Sequence, residues 1–358
     1  MGIRGCAFAL VIFAGLFGAL GASAVAQDHA ALPPVPAPMS EPRPGPVTNG
    51  PYQPQALLPG GIVMPLFPPG SPYLHKDRVS EAEQYTPDPD VPGRVSRIVN
   101  IHNPSIEVHL VPQSANTGTA IILIPGGGHN TLVVGLEGTD PVPYFFNYGV
   151  NTIILRSRLR RDGYDPKTDE VYDAQQAIRL VRAHAREWRI DPHKIGVMGF
   201  SAGAELAMAT AIQYPQFDAK NDAPADPLAG ITSRPDFVGA IYPGPSLFTK
   251  AGNPPIPKDA PPSFIICAGW GDKVHAVWAT EYFTAMLQAG IPNVEMHIYA
   301  RGHHGMGLSW RDGTAMGTWP VRFTDWFRDL GFLGKPGEET QAVKDVAAFV
   351  AAPSPARP

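Results

Sequence analysis

From about Arg94 onward the chain alternates short, wholly apolar runs with longer stretches in which apolar residues recur every three or four positions. Residues 106–111 and 120–124 read as buried strands, and the second stops abruptly at Pro125-Gly126-Gly127-Gly128. Residues 150–155 form a third such run. Between Asp173 and Trp188, the residues Ala174, Ala177, Ile178, Val181, Ala185 and Trp188 share one helical face, with Arg179, Arg182, Arg186 and Glu187 mostly elsewhere. This spacing predicts a surface helix lying on a sheet. Strands follow at 195–198, 237–241, 263–268 and 294–299, and helices at 202–212, 278–289 and 319–330. Such alternation predicts an α/β fold with a mostly parallel central sheet and helices on both faces. Functional groups are then expected on loops at the C-terminal ends of the strands.

The ends of the chain break this pattern. Residues 1–26 carry one charge, Arg4, an apolar stretch from Ala7 to Leu20, and Ala24-Val25-Ala26 before Gln27, the layout of a cleavable export signal. An uncleaved membrane anchor is the alternative reading of the same stretch. Residues 27–93 are rich in proline and lack periodicity over most of their length, which predicts a linker or extended arm, with 57–67 apolar enough to lie along the domain. The catalytic domain is expected over 94–334 and a tail over 335–358.

Composition narrows the class of partner. With 44% hydrophobic and 17% charged residues and a net charge of -4, the 358-residue chain has ample material for a core and too little charge bias to seek nucleic acid or an anionic membrane. Once the signal is removed, no stable membrane association is expected, and the protein belongs in the periplasm or outside the cell. Signal removal also takes away Cys6, leaving Cys267 in the apolar run 263–268, where a buried structural thiol is expected and no intrachain disulfide is possible.

Chemistry enters at Gly199-Phe200-Ser201-Ala202-Gly203. A Gly-x-Ser-x-Gly between a strand and a helix is the pattern of a nucleophile elbow. A serine hydroxyl is a weak nucleophile, so it needs a general base and a carboxylate to orient that base. Asp272 follows one expected strand, and His303-His304 follows the next. The order Ser201, Asp272, His304 is that of an α/β-hydrolase fold. Gly126 to Gly128 supply bare backbone before the elbow, so the N–H groups of Gly127, Gly128 and Ala202 are the expected oxyanion donors. A metal site built on His297, His303 and His304 has no accompanying ligand cluster in the sequence, and neither a metal nor an organic cofactor is expected.

These motifs resemble those of secreted bacterial α/β-hydrolases related to acetyl xylan esterases and to feruloyl-esterase-like (BD-FAE-like) carbohydrate esterases. The resemblance is carried by 125–128, Glu137-Gly138, 173–182, 190–203, 234–237, 241–244, 261–264, Asp272 and His304-Gly305-Met306-Gly307-Leu308. It implies that His304 is the base, since it directly precedes Gly-x-Gly-Leu, and that the substrate is a short acyl ester, acetylated xylan or an oligosaccharide above all. Two positions depart from the family pattern. His129 stands where a tyrosine is frequent, and Ala204-Glu205 replaces Gly-His, so both positions are expected to shape the substrate pocket together with Trp270 and Trp310. Arg158 is expected to be a structural ion-pair partner, and the segment 217–234 either a small cap or an ordinary insertion. A serine exopeptidase of prolyl-oligopeptidase type and a non-catalytic binding protein on the same fold are the competing readings.

Overall fold

The computed structural model describes residue 2 and residues 50–222, 226–249, 254–308 and 313–353. Apart from Gly2, the expected export signal lies outside the described residues, as do residues 27–49 of the arm. The chain runs through β1 (Ile62–Pro65), β2 (Gln84–Pro87), β3 (Val95–Val99), β4 (Ser105–His109) and β5 (Ala120–Ile124). A π-helical turn at Gly135–Thr139 leads into α1 (Pro141–Phe146), followed by β6 (Asn151–Arg156), α2 (Val171–Ala183), α3 (Ala185–Trp188), β7 (Ile195–Phe200) and α4 (Ala202–Lys220). Then come β8 (Val238–Ile241), β9 (Ser263–Trp270), α5 (Lys273–Gln288), β10 (Glu295–Arg301), α6 (Trp319–Asp329) and α7 (Gln341–Ala351).

Eight strands form one sheet in the order β1-β4-β6-β5-β7-β8-β9-β10, and β2 pairs with β3 in a separate ribbon. The first two pairings are antiparallel and the other five parallel. Strands β5, β7 and β8 are buried at every position because both faces are covered, which is why they read as unbroken apolar runs. Their side chains divide by alternation. Ile122, Val197, Ala240 and Ile265 pack under α2, α4 and α5, whereas Leu123, Met198, Phe264 and Ile266 pack under α1, α6 and α7. Cys267 lies in the first of these layers, fully buried, and burial pushes its thiol up to about 12.

The structure corrects the expected domain limits. Strand β1, inside the supposed arm, is the edge strand of the main sheet, and Leu57, Leu66, Phe67 and Leu74 are buried. Proline misleads here because an edge strand tolerates it, and Pro65 closes β1. The arm is also held ionically. Glu107 on β4 accepts the Leu57 and Leu58 N–H groups at 2.7 and 3.0 Å, and the fully buried Arg156 reaches Glu107 at 2.6 Å, Glu83 at 3.2 Å and the Gln55 carbonyl at 2.6 Å. Burial pushes the Glu83 carboxyl up. The same burial acts on Glu107, but the bonds from His109, Arg156 and the two backbone amides outweigh it and bring its carboxyl down. The supposed tail likewise contains α7, whose Ala342 and Val346 are buried.

Helix limits differ as well. The expected helix over 173–188 is two, because His184 leaves helical geometry between α2 and α3. Helix α4 continues through Pro215 to Lys220. Arg179 is buried rather than solvated, since its guanidinium donates to the carbonyls of Asn221, Leu228 and Ile231 and so ties the 217–234 segment down onto α2. Arg158 is a structural partner as expected, paired with buried Asp173 at 2.7 Å.

Replacing Arg156 with alanine leaves two buried carboxylates without their cation and is expected to lower the unfolding free energy by about 3–5 kcal/mol. Urea denaturation reads this as a reduced midpoint at unchanged slope. A midpoint equal to the parent's would mean that apolar contacts alone hold residues 50–93.

Candidate active site

Ser201 sits where β7 turns into α4, with φ 53° and ψ -119°, a left-handed conformation that a non-glycine residue adopts only under local strain. The turn is possible because strand and helix almost touch. A β-carbon on Gly199 would lie 2.1 Å from the Gly203 carbonyl oxygen, and one on Gly203 would lie 2.0 Å from that of Ile124. Ser201 N–H is anchored on the Ile241 carbonyl of β8 at 3.0 Å. Its own carbonyl receives the N–H groups of Ala204, Glu205 and Gly244. Ala202 begins the helix, so its N–H has no acceptor one turn back, and among the described residues nothing takes it.

The other two residues arrive from neighbouring parallel strands. Asp272 follows β9, and His304 follows β10. Ser201 Oγ lies 2.7 Å from His304 Nε2, and His304 Nδ1 lies 3.0 Å from Asp272 Oδ2. A proton held on Nδ1 by the carboxylate leaves Nε2 as the acceptor for the serine hydroxyl, the arrangement a general base requires. Burial pushes the Asp272 carboxyl up, and hydrogen bonds from His275 and His304 more than reverse this, holding it below the usual carboxylate range.

His275 carries no motif of its own in the sequence. It lies on the first turn of α5, bonds Asp272 Oδ1 through Nδ1, and stacks on His304 with ring centroids 3.8 Å apart and planes at 23°. An i,i+3 spacing from Asp272 at a helix start is the one signal that could have flagged it. The ligand atoms of Asp272, His275 and His304 all lie within 4.8 Å of one another, the one such group of three among the described residues. Both rings direct Nδ1 at Asp272, so these bonds account for the clustering. His297 is bonded to Glu295 at 2.6 Å instead of joining them.

Gly126, Gly127 and Gly128 cross in front of the elbow. A β-carbon on Gly126 would lie 2.8 Å from that of Ser201, and one on Gly127, at φ 131°, would lie 2.1 Å from the Thr131 carbonyl. Only bare backbone fits so close to the serine. Among the described residues nothing accepts the N–H groups of Gly127 or Gly128, whereas the Gly126 N–H is taken by Glu137.

Residues 106–229 match the BD-FAE family model. Over that stretch the chain is similar to the BD-FAE family, and its fold is that of the α/β-hydrolases. It is 29% identical over 227 residues to an acetylxylan esterase of Xylanibacter ruminicola, covering 60% of this chain and 45% of that protein. It is 27% identical over 216 residues to endo-1,4-beta-xylanase B of Butyrivibrio fibrisolvens, covering 53% of this chain and 32% of the relative. The chain thus spans less than half the length of these curated relatives. Among solved structures, the acetyl ester-xyloside bifunctional hydrolase from Caldicellulosiruptor lactoaceticus superposes with a TM-score of 0.61 at 26% identity, covering 78% of this chain and all of that one.

Within this fold the two family departures meet. His129, itself at φ 60°, places Nδ1 2.7 Å from Glu170 and Nε2 3.3 Å from Glu205, in the first turn after Ser201. The Glu205 carboxylate lies so tightly against Gly244 that a β-carbon there would come within 1.9 Å of Oε1. Arg160 adds a bond to the Gly128 carbonyl at 3.0 Å. The glycine loop is therefore clamped to α4 through buried His129 and the half-buried Glu205. Trp270, at the end of β9, is 69% exposed, and Trp310 lies outside the described residues. A groove of 1180 Å³ is lined by Leu57, Leu136, Phe146, Met306 and Leu308 among others, and none of Ser201, Asp272 or His304 faces it.

Burial alone would lower the pKa of His129, but the bonds from Glu170 and Glu205 raise it to about 9. A histidine raised in the folded state stabilises fully below about 6.5, its unfolded value, and loses that contribution as pH rises through 9. Wild-type stability is expected to fall by on the order of 3 kcal/mol across this window relative to His129→Asn. Chemical denaturation at pH 6, 8 and 10 measures it, and parallel curves for the two proteins would refute the clamp.

Proposed function

We propose that this chain is a serine carboxylic-ester hydrolase that removes short acyl groups, acetyl foremost, from acylated plant polysaccharide such as xylan or from its oligosaccharides. The observation that carries the reading is the linked Ser201, His304 and Asp272, at 2.7 and 3.0 Å, beside two glycine amides that nothing among the described residues accepts. Ser201 Oγ attacks the acyl carbonyl while His304 Nε2 takes the hydroxyl proton. Asp272 holds the imidazole and balances the imidazolium that forms. The carbonyl oxygen becomes an oxyanion facing the N–H groups of Gly127, Gly128 and Ala202. When the tetrahedral species collapses, the sugar alcohol leaves with the proton from His304. Water then repeats the sequence on the acyl-enzyme and frees Ser201.

The substrate class is supported by the names of the relatives, an acetylxylan esterase, a xylanase and an acetyl ester-xyloside hydrolase. Trp270 supports it independently, because a wide aromatic face left in solvent next to the acid loop suits a sugar ring. Export to the periplasm or beyond, argued from residues 1–26, would bring such an enzyme to polymeric substrate that cannot enter a cell. Neither a nucleic-acid partner nor a stable membrane partner belongs to this reading.

Ser201→Ala is expected to reduce kcat on 4-nitrophenyl acetate by roughly 10⁴-fold or more. Activity at the parent rate would end the assignment. Trp270→Ala is expected to raise KM for acetylated xylan several-fold, about the loss of one stacking contact, while leaving KM for 4-nitrophenyl acetate alone. Equal changes on both substrates would remove the tryptophan from carbohydrate binding. Acetate release from acetylated xylan, measured beside cleavage of aminoacyl amides, separates the esterase from an exopeptidase.

A further inference from the structure

Behind the oxyanion loop lies a buried carboxylate that the ester-cleaving steps leave unused. Glu137 occupies the π-helical turn Gly135–Thr139 and is 2% exposed. Such turns recur at functional sites, where the extra residue re-aims a side chain that regular helix would carry elsewhere. Its Oε2 accepts the Gly126 N–H at 2.7 Å, and its Oε1 accepts the Tyr242 hydroxyl at 2.9 Å. The Tyr242 oxygen accepts the Gly307 N–H at 2.9 Å, and its ring stands edge-on to His304, with centroids 5.1 Å apart at 67°. Tyr242 is held at φ 40°, a third non-glycine left-handed residue at the site beside His129 and Ser201.

A residue that merely filled this space would be apolar. A buried carboxylate without a cation costs stability, and among the described residues no basic side chain is ion-paired with Glu137. Burial pushes its carboxyl up, while the Gly126 and Tyr242 bonds and the charge of His304 act in the opposite direction. Both ends of the network matter to the reaction. Gly126 is the hinge of the oxyanion loop, because the next two amides are the oxyanion donors. Gly307 is three residues beyond His304, and its carbonyl is fixed in turn by Trp319 Nε1 at 3.0 Å.

We propose that Glu137 is a positioning residue which, through Tyr242, fastens the oxyanion loop and the histidine loop to one carboxylate, so that the Gly127 and Gly128 amides and His304 Nε2 converge on the same acyl group. The inference rests on reading Ser201, His304 and Asp272 as the ester-cleaving triad. It also has an electrostatic side. The groups facing His304 are Asp272, His275 from α5, and the Tyr242 ring with Glu137 behind it; both Glu137 oxygens accept hydrogen bonds, as an ionised carboxylate's do, and in that form its charge favours the imidazolium formed during attack.

Two variants test this. Glu137→Gln keeps the shape but turns one acceptor into a donor, and Tyr242→Phe keeps the ring on His304 but removes the hydroxyl. With rates normalised to serine sites titrated by a fluorophosphonate, each is expected to lower kcat on 4-nitrophenyl acetate by roughly tenfold or more, with KM within about twofold. In Glu137→Gln the acidic limb of the kcat/KM profile should also move to lower pH, a shift that a packing role would not produce. The double variant should be no worse than the poorer single one, because both break the same chain of bonds. A kcat per titrated site within about twofold of the parent, with an unmoved acidic limb, would overturn the proposal even if the melting temperature fell. Should Glu137→Gln fail to fold, the kcat of Tyr242→Phe decides by the same limits. Ser201→Ala run alongside separates the two levels: residual activity there sinks the triad reading, whereas a dead Ser201→Ala beside a fully active Glu137→Gln sinks only this inference.

Discussion

The site depends on how closely a helix can approach the strand that feeds it. Strand β7 and helix α4 meet at Gly199 and Gly203, where neither residue has room for a single methyl group. That contact forces Ser201 into a left-handed turn and holds its hydroxyl clear of the sheet. The strain is local, of the order of 1–3 kcal/mol at such a residue. It is maintained by the bonds from Ser201 to β8 and to the first turn of α4. Without the two glycines the helix would stand off, and neither His304 nor the 126–128 loop would meet Ser201 as they do.

Parallel topology supplies the rest of the geometry. Because β7, β9 and β10 run in one direction, the loops after them emerge at the same edge, bringing Ser201, Asp272 and His304 together although they are far apart in the chain. The loop after β5 comes to that edge too and brings bare glycine backbone to the serine. The sheet therefore sets where each group starts, and the loops need to supply only short reach.

Buried charge then fixes the loops against one another. His129 ties the 126–128 glycine loop to Glu170 and to α4, Glu107 and Arg156 tie residues 50–93 to the sheet edge, and Arg179 ties the 217–234 segment to α2. Loops cannot bury enough apolar surface to hold a fixed shape, so directional charged bonds serve that purpose here. Left-handed non-glycine residues gather at the same place, at 129, 201 and 242.

The sequence by itself determined the core strands and placed Ser201, Asp272 and His304 each after one of them. Apolar runs bounded by glycine and proline are a local signal, and β5 spans the apolar run 120–124 residue for residue. Glycine at 126–128, 199 and 203 was equally legible, since close backbone approach leaves its mark on residue type. The structure alone decided that residues 50–93 belong to the domain, because an edge strand with prolines has no periodicity to betray it. It alone paired His275 with Asp272, His129 with Glu205, and Glu137 with Tyr242 105 positions away. Hydrophobic pattern repeats with the backbone and can be read along the chain, whereas a buried polar partner is chosen by where the folded loops happen to meet.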